Sequence, residues 1–196
     1  LIISLALFGE NQHALATASE LYTAHAPTEL DPELRTAVLA HAVRTEVPGV
    51  IETLLDLYKT AVSSELRDDI AAALTSTKNE QTIKKLASLL KDTKFIRPQD
   101  FTHWYVWLLR NRFGRSTLWQ WTQDEWQWIA DTFKGDSSYD MFPRYIAGAL
   151  ATRAQLEEYI AFFEQHKNVI ALARNITIGQ TSLIGKVELL ERDGPI

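Results

Sequence analysis

Apolar residues recur in steps of three and four along most of the chain, and this spacing limits what the sequence can fold into. From Asp31 onward the pattern returns several times, in series that begin at Leu34, Ile51, Leu66 and Ile83. Such steps place side chains on one face of an α-helix. No stretch alternates with the period of two that a half-buried strand needs, and no Asn-Gly hairpin signal occurs. The sequence therefore predicts an all-α protein.

The spacing between helices predicts how they are arranged. Helices are expected to start near residues 31, 48, 64 and 79. These starts lie about 16 residues apart, so helix pairs repeat about every 32 residues, near the period of helical solenoids. No tetratricopeptide signature is present. We therefore expect an irregular HEAT-like superhelical array of antiparallel helix pairs, in which residues 1–196 form one domain.

Two local signals refine this arrangement. Three Thr-x-x-Glu/Gln sequences have the form of a capping box, in which two side chains satisfy free N–H groups at a helix start. They begin at Thr77, Thr122 and Thr152. In the long segment near the end of the sequence, Gly179 and Gly185 are expected to weaken the helix or to allow a close contact between helices.

Composition excludes several classes of protein. The chain has 20 basic and 25 acidic residues, a formal charge of −5, which argues against nucleic-acid binding as its main function. It has no cysteine, so disulfides and thiolate metal sites are excluded. No apolar run approaches the roughly 20 residues that span a bilayer. Residues 1–8 are apolar but lack the basic residues that precede a signal-peptide core, so we interpret them as helix in a longer, cytoplasmic protein.

No motif of a catalytic site is present. None of the five histidines is followed by Glu, so there is no His-Glu-x-x-His zinc site. Gly-x-Ser-x-Gly, Walker and Gly-x-Gly-x-x-Gly sequences are absent as well. Carboxylates are plentiful, but their spacing is typical of solvated helix faces. We therefore predict no catalytic residue, no metal ligand and no cofactor site in this chain.

Aromatic and basic residues concentrate in the middle of the sequence. All six tryptophans lie between Trp104 and Trp128, and residues 84–115 hold eight basic side chains against two acidic ones, Asp92 and Asp100. Such a stretch fits nucleic-acid binding, a site where arginine binds a peptide carboxylate, or a tryptophan-rich core with lysines in solvent. The core interpretation is favoured, because tryptophan is mostly buried in helical packing.

Four segments follow one another in a characteristic order. They are Ala72-Ala73-Leu74-Thr75-Ser76-Thr77-Lys78-Asn79, then Ile96-Arg97-Pro98-Gln99-Asp100, then Asn111-Arg112-Phe113-Gly114-Arg115, and finally Thr152-Arg153-Ala154-Gln155-Leu156-Glu157-Glu158-Tyr159. In this order and spacing they resemble motifs of the C-terminal helical domain of the aminopeptidase N family of zinc metallopeptidases. The resemblance extends over residues 65–190.

The resemblance implies a function that the residues alone do not reveal. Members of this family remove N-terminal residues from peptides, and their zinc site lies in a separate, N-terminal catalytic domain. The resemblance implies that this chain covers the catalytic chamber, gates access to it and contacts the far end of peptide substrates. Its partners are then its own catalytic domain and peptides, with no nucleic acid and no membrane. Zinc is then the cofactor of the catalytic domain, and this chain alone is inactive.

Within this interpretation the basic stretch indicates a substrate site. We hypothesise that arginines line the concave face of the domain and attract the C-terminal carboxylate of the peptide. The candidates are Arg97, Arg110, Arg112, Arg144 and Arg174. The alternative for each is a structural salt bridge or a helix C-terminal cap. Arg97 is the strongest case for a structural role, since Pro98 and Asp100 beside it indicate a helix start.

Two other functions stay open at this point. One is a free-standing HEAT-like scaffold that binds a partner protein through its aromatic residues. The other is a nucleic-acid-binding helical repeat, which predicts salt-sensitive binding to single strands.

Overall fold

The structure, a computed structural model, describes residues 5–7, 9–136 and 138–194. Over these residues the secondary structure is helical throughout, with no β-strand, which confirms the predicted all-α class. The apolar segment 1–8 lies largely outside the described residues, and residues 5–7 of it are helical.

The principal helices follow one another with short connections. They are α1 (Gln12–Ala24), α2 (Pro32–Arg44), α3 (Val50–Thr60), α4 (Ser64–Thr75), α5 (Glu80–Leu89), α6 (Pro98–Arg110), α7 (Arg115–Asp124), α8 (Trp126–Phe133), the 3-10 helix Tyr139–Met141, α9 (Phe142–Ala149), α10 (Arg153–Glu164) and α11 (Ile170–Asp193). The chain divides into two compact units, Leu1–Phe113 and Gly114–Ile196.

In the first unit, α2 packs against α4, the second helix along the chain. Arg35 of α2 is buried and binds Asp69 of α4 at 3.0 Å, 34 residues further on. At the end of α2, Arg44 Nε donates to the carbonyl of Ser76, just past α4, at 3.4 Å and 32 residues further on. Because both residue numbers increase together, α2 and α4 run in the same direction.

The same separation recurs between other helices of the first unit. Lys85 of α5 donates to Glu52 of α3, 33 residues earlier, and Asn111 after α6 donates to the carbonyl of Thr75 in α4, 36 residues earlier. These separations are close to the repeat of about 32 residues that the helix starts predict. The period read from the sequence therefore appears in the structure as contacts between helices two apart in the chain.

Short polar side chains begin several helices by accepting hydrogen bonds from backbone N–H groups of the first turn. These residues are Asn11 of α1, Asp31 of α2, Ser63 of α4 and Asn79 of α5. Each satisfies a backbone donor that the helix itself leaves free.

One of the three predicted capping boxes is confirmed. Thr152 and Gln155 make both reciprocal bonds at the start of α10. The prediction at Thr77 is wrong, because Asn79 lies nearer the helix start and caps α5 in its place. The prediction at Thr122 is also wrong, because this residue is buried inside α7 and its hydroxyl donates to the carbonyl of Leu118 at 2.6 Å.

The core of the second unit is built around Trp126. The ring centroids of Phe162 and Phe163 lie 5.4 and 5.5 Å from that of Trp126, and both rings are nearly perpendicular to it. Such edge-to-face pairs contribute about 0.5–1.5 kcal/mol each beyond the area that they bury. The ring of His166 lies 5.2 Å from Trp126, and burial lowers the pKa of this histidine.

Helices α9 and α11 approach each other closely at Gly179. A Cβ atom at this position would overlap the hydroxyl of Tyr159 and lie 3.0 Å from the carbonyl oxygen of Pro143. The Tyr159 hydroxyl is buried and donates to that same carbonyl at 3.2 Å. Gly185, by contrast, has open space where a Cβ would stand. Gly179 thus allows a close helix contact, whereas Gly185 makes none.

Replacing Gly179 with Ala is expected to destabilise the chain by about 1–3 kcal/mol, because the added methyl group overpacks the contact between α9 and α11. The matched change Gly185→Ala is expected to stabilise it by about 0.5–1 kcal/mol, since alanine favours the helix and the position is open. Urea unfolding of the two variants measures the difference. Equal effects of the two changes would contradict the packing role of Gly179.

The stability of the chain is expected to fall as the pH drops below about 6.5, the ordinary pKa of histidine. Burial holds the pKa of His166 lower in the folded state than in the unfolded state. Between these two pKa values the unfolded chain binds the proton more readily, so the free energy of unfolding rises with pH through that window. The variant His166→Phe should flatten this part of the profile. His41, whose pKa burial also lowers, should contribute to the remaining slope.

The measurement is the free energy of unfolding of the natural chain and of His166→Phe at about pH 5 and about pH 7.5, on either side of the histidine range. The same pH dependence in both proteins would show that His166 contributes nothing to it.

Candidate functional site

The structure places Arg97 in an ion pair at the start of α6. Its Nε and Nη2 atoms donate to the two carboxylate oxygens of Asp100 at 2.6 and 3.0 Å. This hydrogen bonding raises the pKa of Arg97 above its ordinary value. The guanidinium is therefore bound within the first turn of the helix, in agreement with the interpretation of Arg97 as a structural residue.

Asp100 also takes part in a network that connects α3 with α6. The hydroxyl of Tyr58 lies 3.4 Å from Asp100 Oδ2 and accepts a hydrogen bond from Trp104 Nε1 at 3.1 Å. Tyr58 and Trp104 are both buried, and burial raises the pKa of the tyrosine. The segment 96–100, which carries part of the family resemblance, thus fixes a helix start and a helix contact.

Arg110 and Arg112 lie two residues apart at the end of α6, and both are exposed. The guanidinium of Arg112 lies 4.8 Å from the ring centroid of Phe113, whose exposed fraction is 43%. This is the geometry of a cation–π contact. Within the described part of the chain neither arginine is paired with a carboxylate; the arginines that are so paired are Arg35, Arg97, Arg153 and Arg192.

The residue between these two arginines points the other way. Asn111 Nδ2 donates to the carbonyls of Thr75 and Thr77 at 2.9 and 2.7 Å. Its Oδ1 accepts a hydrogen bond from the backbone N–H of Phe113 at 3.0 Å. The segment that joins α6 to α7 is therefore held by one side chain, with Arg112 in the middle of the turn.

Arg144 and Arg174 belong to the second unit. Arg144 lies on α9 and Arg174 on α11, and both are exposed. Over residues 138–194 neither is bound to a carboxylate. The structure thus leaves four of the five predicted arginines free for an anion, one pair in each unit, while Arg97 is taken up by Asp100.

The tryptophans of the middle stretch contribute mainly to the core. Trp104, Trp119 and Trp126 are buried, and Trp119 Nε1 donates to Glu158 at 2.8 Å. The other three, Trp107, Trp121 and Trp128, are partly exposed. The favoured core interpretation is therefore confirmed for half of them.

Part of the basic stretch is neutralised by neighbouring carboxylates. Lys84 pairs with Glu80 one turn earlier at 2.6 Å, and Lys85 pairs with Glu52 of α3 at 3.3 Å. Both pairs are solvent-exposed and contribute little to stability. They reduce the net positive charge of α5.

Sequence reasoning missed Lys186, whose ammonium group holds the end of α9. Its Nζ donates to the carbonyls of Ala147, Gly148 and Leu150 at 3.1, 2.7 and 2.8 Å. Burial lowers the pKa of Lys186, and the nearby charge of Arg115 lowers it further. All three donors of the ammonium are used, so Lys186 is a helix cap rather than an anion site. Only the packing of α11 on α9 reveals this role.

A shallow cavity of about 270 Å³ lies between α1 and α2. Ser19 Oγ and His41 Nε2 lie 2.9 Å apart in its wall, which is the spacing of a nucleophile and its base. The same hydroxyl also lies 3.0 Å from the carbonyl of Leu15. Among the described residues no carboxylate is bound to His41, so the third member of a catalytic triad is not provided. The pair connects two helices.

A search of the described residues for metal ligands finds no group of three histidine, aspartate or glutamate side chains placed to hold an ion. The described helices include none that is both long and apolar enough to cross a membrane.

The chain is similar to a known protein family and to several named proteins. The family model described as ERAP1-like C-terminal domain matches residues 1–182 of the chain. Aminopeptidase N of Lactococcus lactis subsp. lactis is 29% identical over 194 residues, which is 97% of this chain and 23% of that protein. Aminopeptidase N of Lactobacillus delbrueckii subsp. lactis is 29% identical over 192 residues, or 96% of this chain and 23% of that protein.

A more distant relative is the glutamyl aminopeptidase of Bitis rhinoceros, 23% identical over 168 residues, which cover 84% of this chain and 18% of that protein. The chain thus spans less than a quarter of the length of each of these relatives. The resemblance that the four sequence segments indicate is confirmed. The chain belongs to the family of ERAP1-like C-terminal domains.

Proposed function

We propose that this chain is the C-terminal domain of a zinc aminopeptidase, in which it covers the catalytic chamber and contacts the far end of peptide substrates. The observation that carries the proposal is the family match over residues 1–182, together with relatives that are named aminopeptidases. In this role the domain excludes bulk water and folded proteins from the chamber, and its movement admits peptides and releases products.

We further propose that residues 1–196 act as one domain, and that its helix pairs form an irregular HEAT-like array. The contacts between helices two apart, at separations of 32 to 36 residues in the first unit, support such stacking. The partner is the catalytic domain of the same polypeptide, and the full-length protein is cytoplasmic.

Zinc belongs elsewhere in this proposal. The described residues of the chain offer no set of ligands that fits a zinc ion, which needs at least three protein side chains in a catalytic site. We therefore place the metal and the bond-breaking chemistry in the catalytic domain of the full-length protein, and assign to this chain the binding of the peptide away from the metal.

The four free arginines are the groups that this role requires. A peptide held in a closed chamber carries a carboxylate at its C-terminus, and a guanidinium binds a carboxylate with two parallel hydrogen bonds. Arg110, Arg112, Arg144 and Arg174 are exposed and have no carboxylate partner in the described residues, so they are available to a ligand. We propose that one or more of them bind this end of the substrate.

The full-length protein is expected to release the N-terminal residue from peptides with a free α-amine and to lose this activity when zinc is removed by a chelator. Peptides whose N-terminus is acetylated should resist cleavage. The chain 1–196 alone should be inactive. Chromatographic analysis of the products tests all three statements. Cleavage by the chain alone, or no cleavage by the full-length protein, would contradict the proposal.

Each free arginine is changed to Ala, one at a time, in the full-length protein. KM for peptides is expected to rise in those variants whose arginine binds the carboxylate. The expected rise is about three- to tenfold, or roughly 0.7–1.4 kcal/mol, as for a charge-assisted hydrogen bond exposed to solvent. Single-residue amide substrates, which have no distant carboxylate, should be hydrolysed as before.

The matched control is Arg192→Ala, because Arg192 is an exposed arginine already bound to Asp193. KM values for peptides that stay at the natural value in all four arginine variants would rule out this site.

A further inference from the structure

We infer that Asn111 is a positioning residue, which holds Arg112 in the orientation that receives the carboxylate of a bound peptide. The inference rests on the proposed function of Arg112 and adds to it a residue that does not itself touch the ligand. It comes from the hydrogen bonds of Asn111, which leave its two neighbours on the surface and fix the backbone between them.

Helix α6 ends at Arg110, and Asn111 is its C-cap residue. The backbone of Asn111 is extended, with φ −65° and ψ 118°, and its N–H still donates to the carbonyl of Trp107 at 3.0 Å. The chain therefore leaves the helix at this residue. Without a further restraint, the exposed residues that follow would sample many orientations, since the one partner of the Arg112 side chain among the described residues is the ring of Phe113.

The side chain of Asn111 supplies that restraint. Its amide nitrogen donates to the carbonyls of Thr75 and Thr77 at the end of α4, and its amide oxygen accepts from the N–H of Phe113. The carbonyls of Thr75 and Thr77 can bond only to the NH2 group of the Asn111 side chain, and the N–H of Phe113 only to its oxygen. The three bonds together therefore fix the orientation of the Asn111 side-chain amide. The bond to the residue two positions on closes an Asx-turn.

Arg112 is the middle residue of this turn. Its backbone is fixed on both sides, and its guanidinium lies over the ring of Phe113, 4.8 Å from the centroid. A side chain that is already ordered loses less conformational entropy when it binds a ligand, and this raises the affinity without any new contact. Arg110, Arg144 and Arg174 have no such support among the described bonds, which makes Arg112 the best placed of the four.

The test compares three variants of the full-length protein. Asn111→Ala removes all three hydrogen bonds and is expected to raise KM for peptides about two- to fivefold, because Arg112 is no longer pre-ordered. Asn111→Ser keeps an oxygen that can accept from the N–H of Phe113 but cannot reach the carbonyls of α4. It should lower the melting temperature as much as Asn111→Ala, yet leave KM close to the natural value.

The third variant is the control Asn79→Ala, which removes an asparagine that caps α5 and whose side-chain hydrogen bond, among the described residues, goes to the backbone of Thr82 and not to an arginine. It should lower the melting temperature and leave KM unchanged. Equal increases of KM in Asn79→Ala and Asn111→Ala would reduce the effect of Asn111 to general destabilisation and overturn the inference. Equal KM values in the Ala and Ser variants of Asn111 would overturn it as well.

A double-mutant cycle separates this inference from the proposed function. If Asn111 acts through Arg112, then Asn111→Ala should have no further effect on KM in a protein that already carries Arg112→Ala. An unchanged KM in Arg112→Ala alone would refute the proposed function of that arginine. A raised KM in Arg112→Ala with an additive effect of Asn111→Ala would leave the proposed function intact and refute the positioning role.

Should Asn111→Ala not fold, Phe113→Ala serves in its place, since this residue is half-exposed and the hydrogen bonds of Asn111 do not involve its ring. Loss of the ring should raise KM in the natural background and leave it unchanged beside Arg112→Ala. An additive effect there would refute the pre-ordering of Arg112.

Discussion

The structure depends on the contact between helices that lie two apart in the chain. In the first unit the bonds across this contact join residues 32 to 36 positions apart, and in the second unit 36 to 39 positions apart. A helix with one apolar stripe must bury it against neighbours, and here a helix two positions along the chain is one of these neighbours. Charged groups inside the contact must then be paired, since an unpaired buried ion costs several kcal/mol. Arg35, bound to Asp69 of α4 and to the carbonyl of Leu30, meets this requirement.

This contact also determines how the helices end. The last four carbonyls of a helix have no partner within it. Because α2 and α4 run in the same direction, their C-terminal ends lie side by side, and Arg44 at the end of one donates to the carbonyl of Ser76 at the end of the other. Asn111 does the same for α4, and Lys186 does so for α9. Side chains of one helix thus bond to the last carbonyls of another. The same hydrogen bonds therefore satisfy the end of a helix and hold it against its neighbour.

Whether a contact can be predicted from the sequence depends on how far apart along the chain its two residues lie. The all-α class and the even spacing of the helix starts are visible because they depend on local spacing, and so is the pairing of Arg97, whose partner Asp100 lies three residues away. The Thr-x-x-Glu pattern at Thr77 failed because a local motif cannot tell which of two neighbouring polar residues begins the helix. The difference between Gly179 and Gly185 is hidden, because only one of them faces another helix. Lys186 is hidden for the same reason.

At the candidate site, residues 110–112 combine a feature that the sequence reveals, the exposed arginines, with a contact that it hides, the bonds of Asn111 to α4. Exposed arginines are common on any protein surface, and their sequence does not distinguish a ligand site from a solvated charge. Asn111 sets the end of α6 apart from the other exposed arginines, because it bonds to the carbonyls of Thr75 and Thr77 as part of the packing of α6 on α4. The same side chain then fixes the backbone of Arg112 through the N–H of Phe113. A structural residue and the proposed binding residue are therefore adjacent for a physical reason: the bonds that hold α6 against α4 also fix the backbone on either side of Arg112.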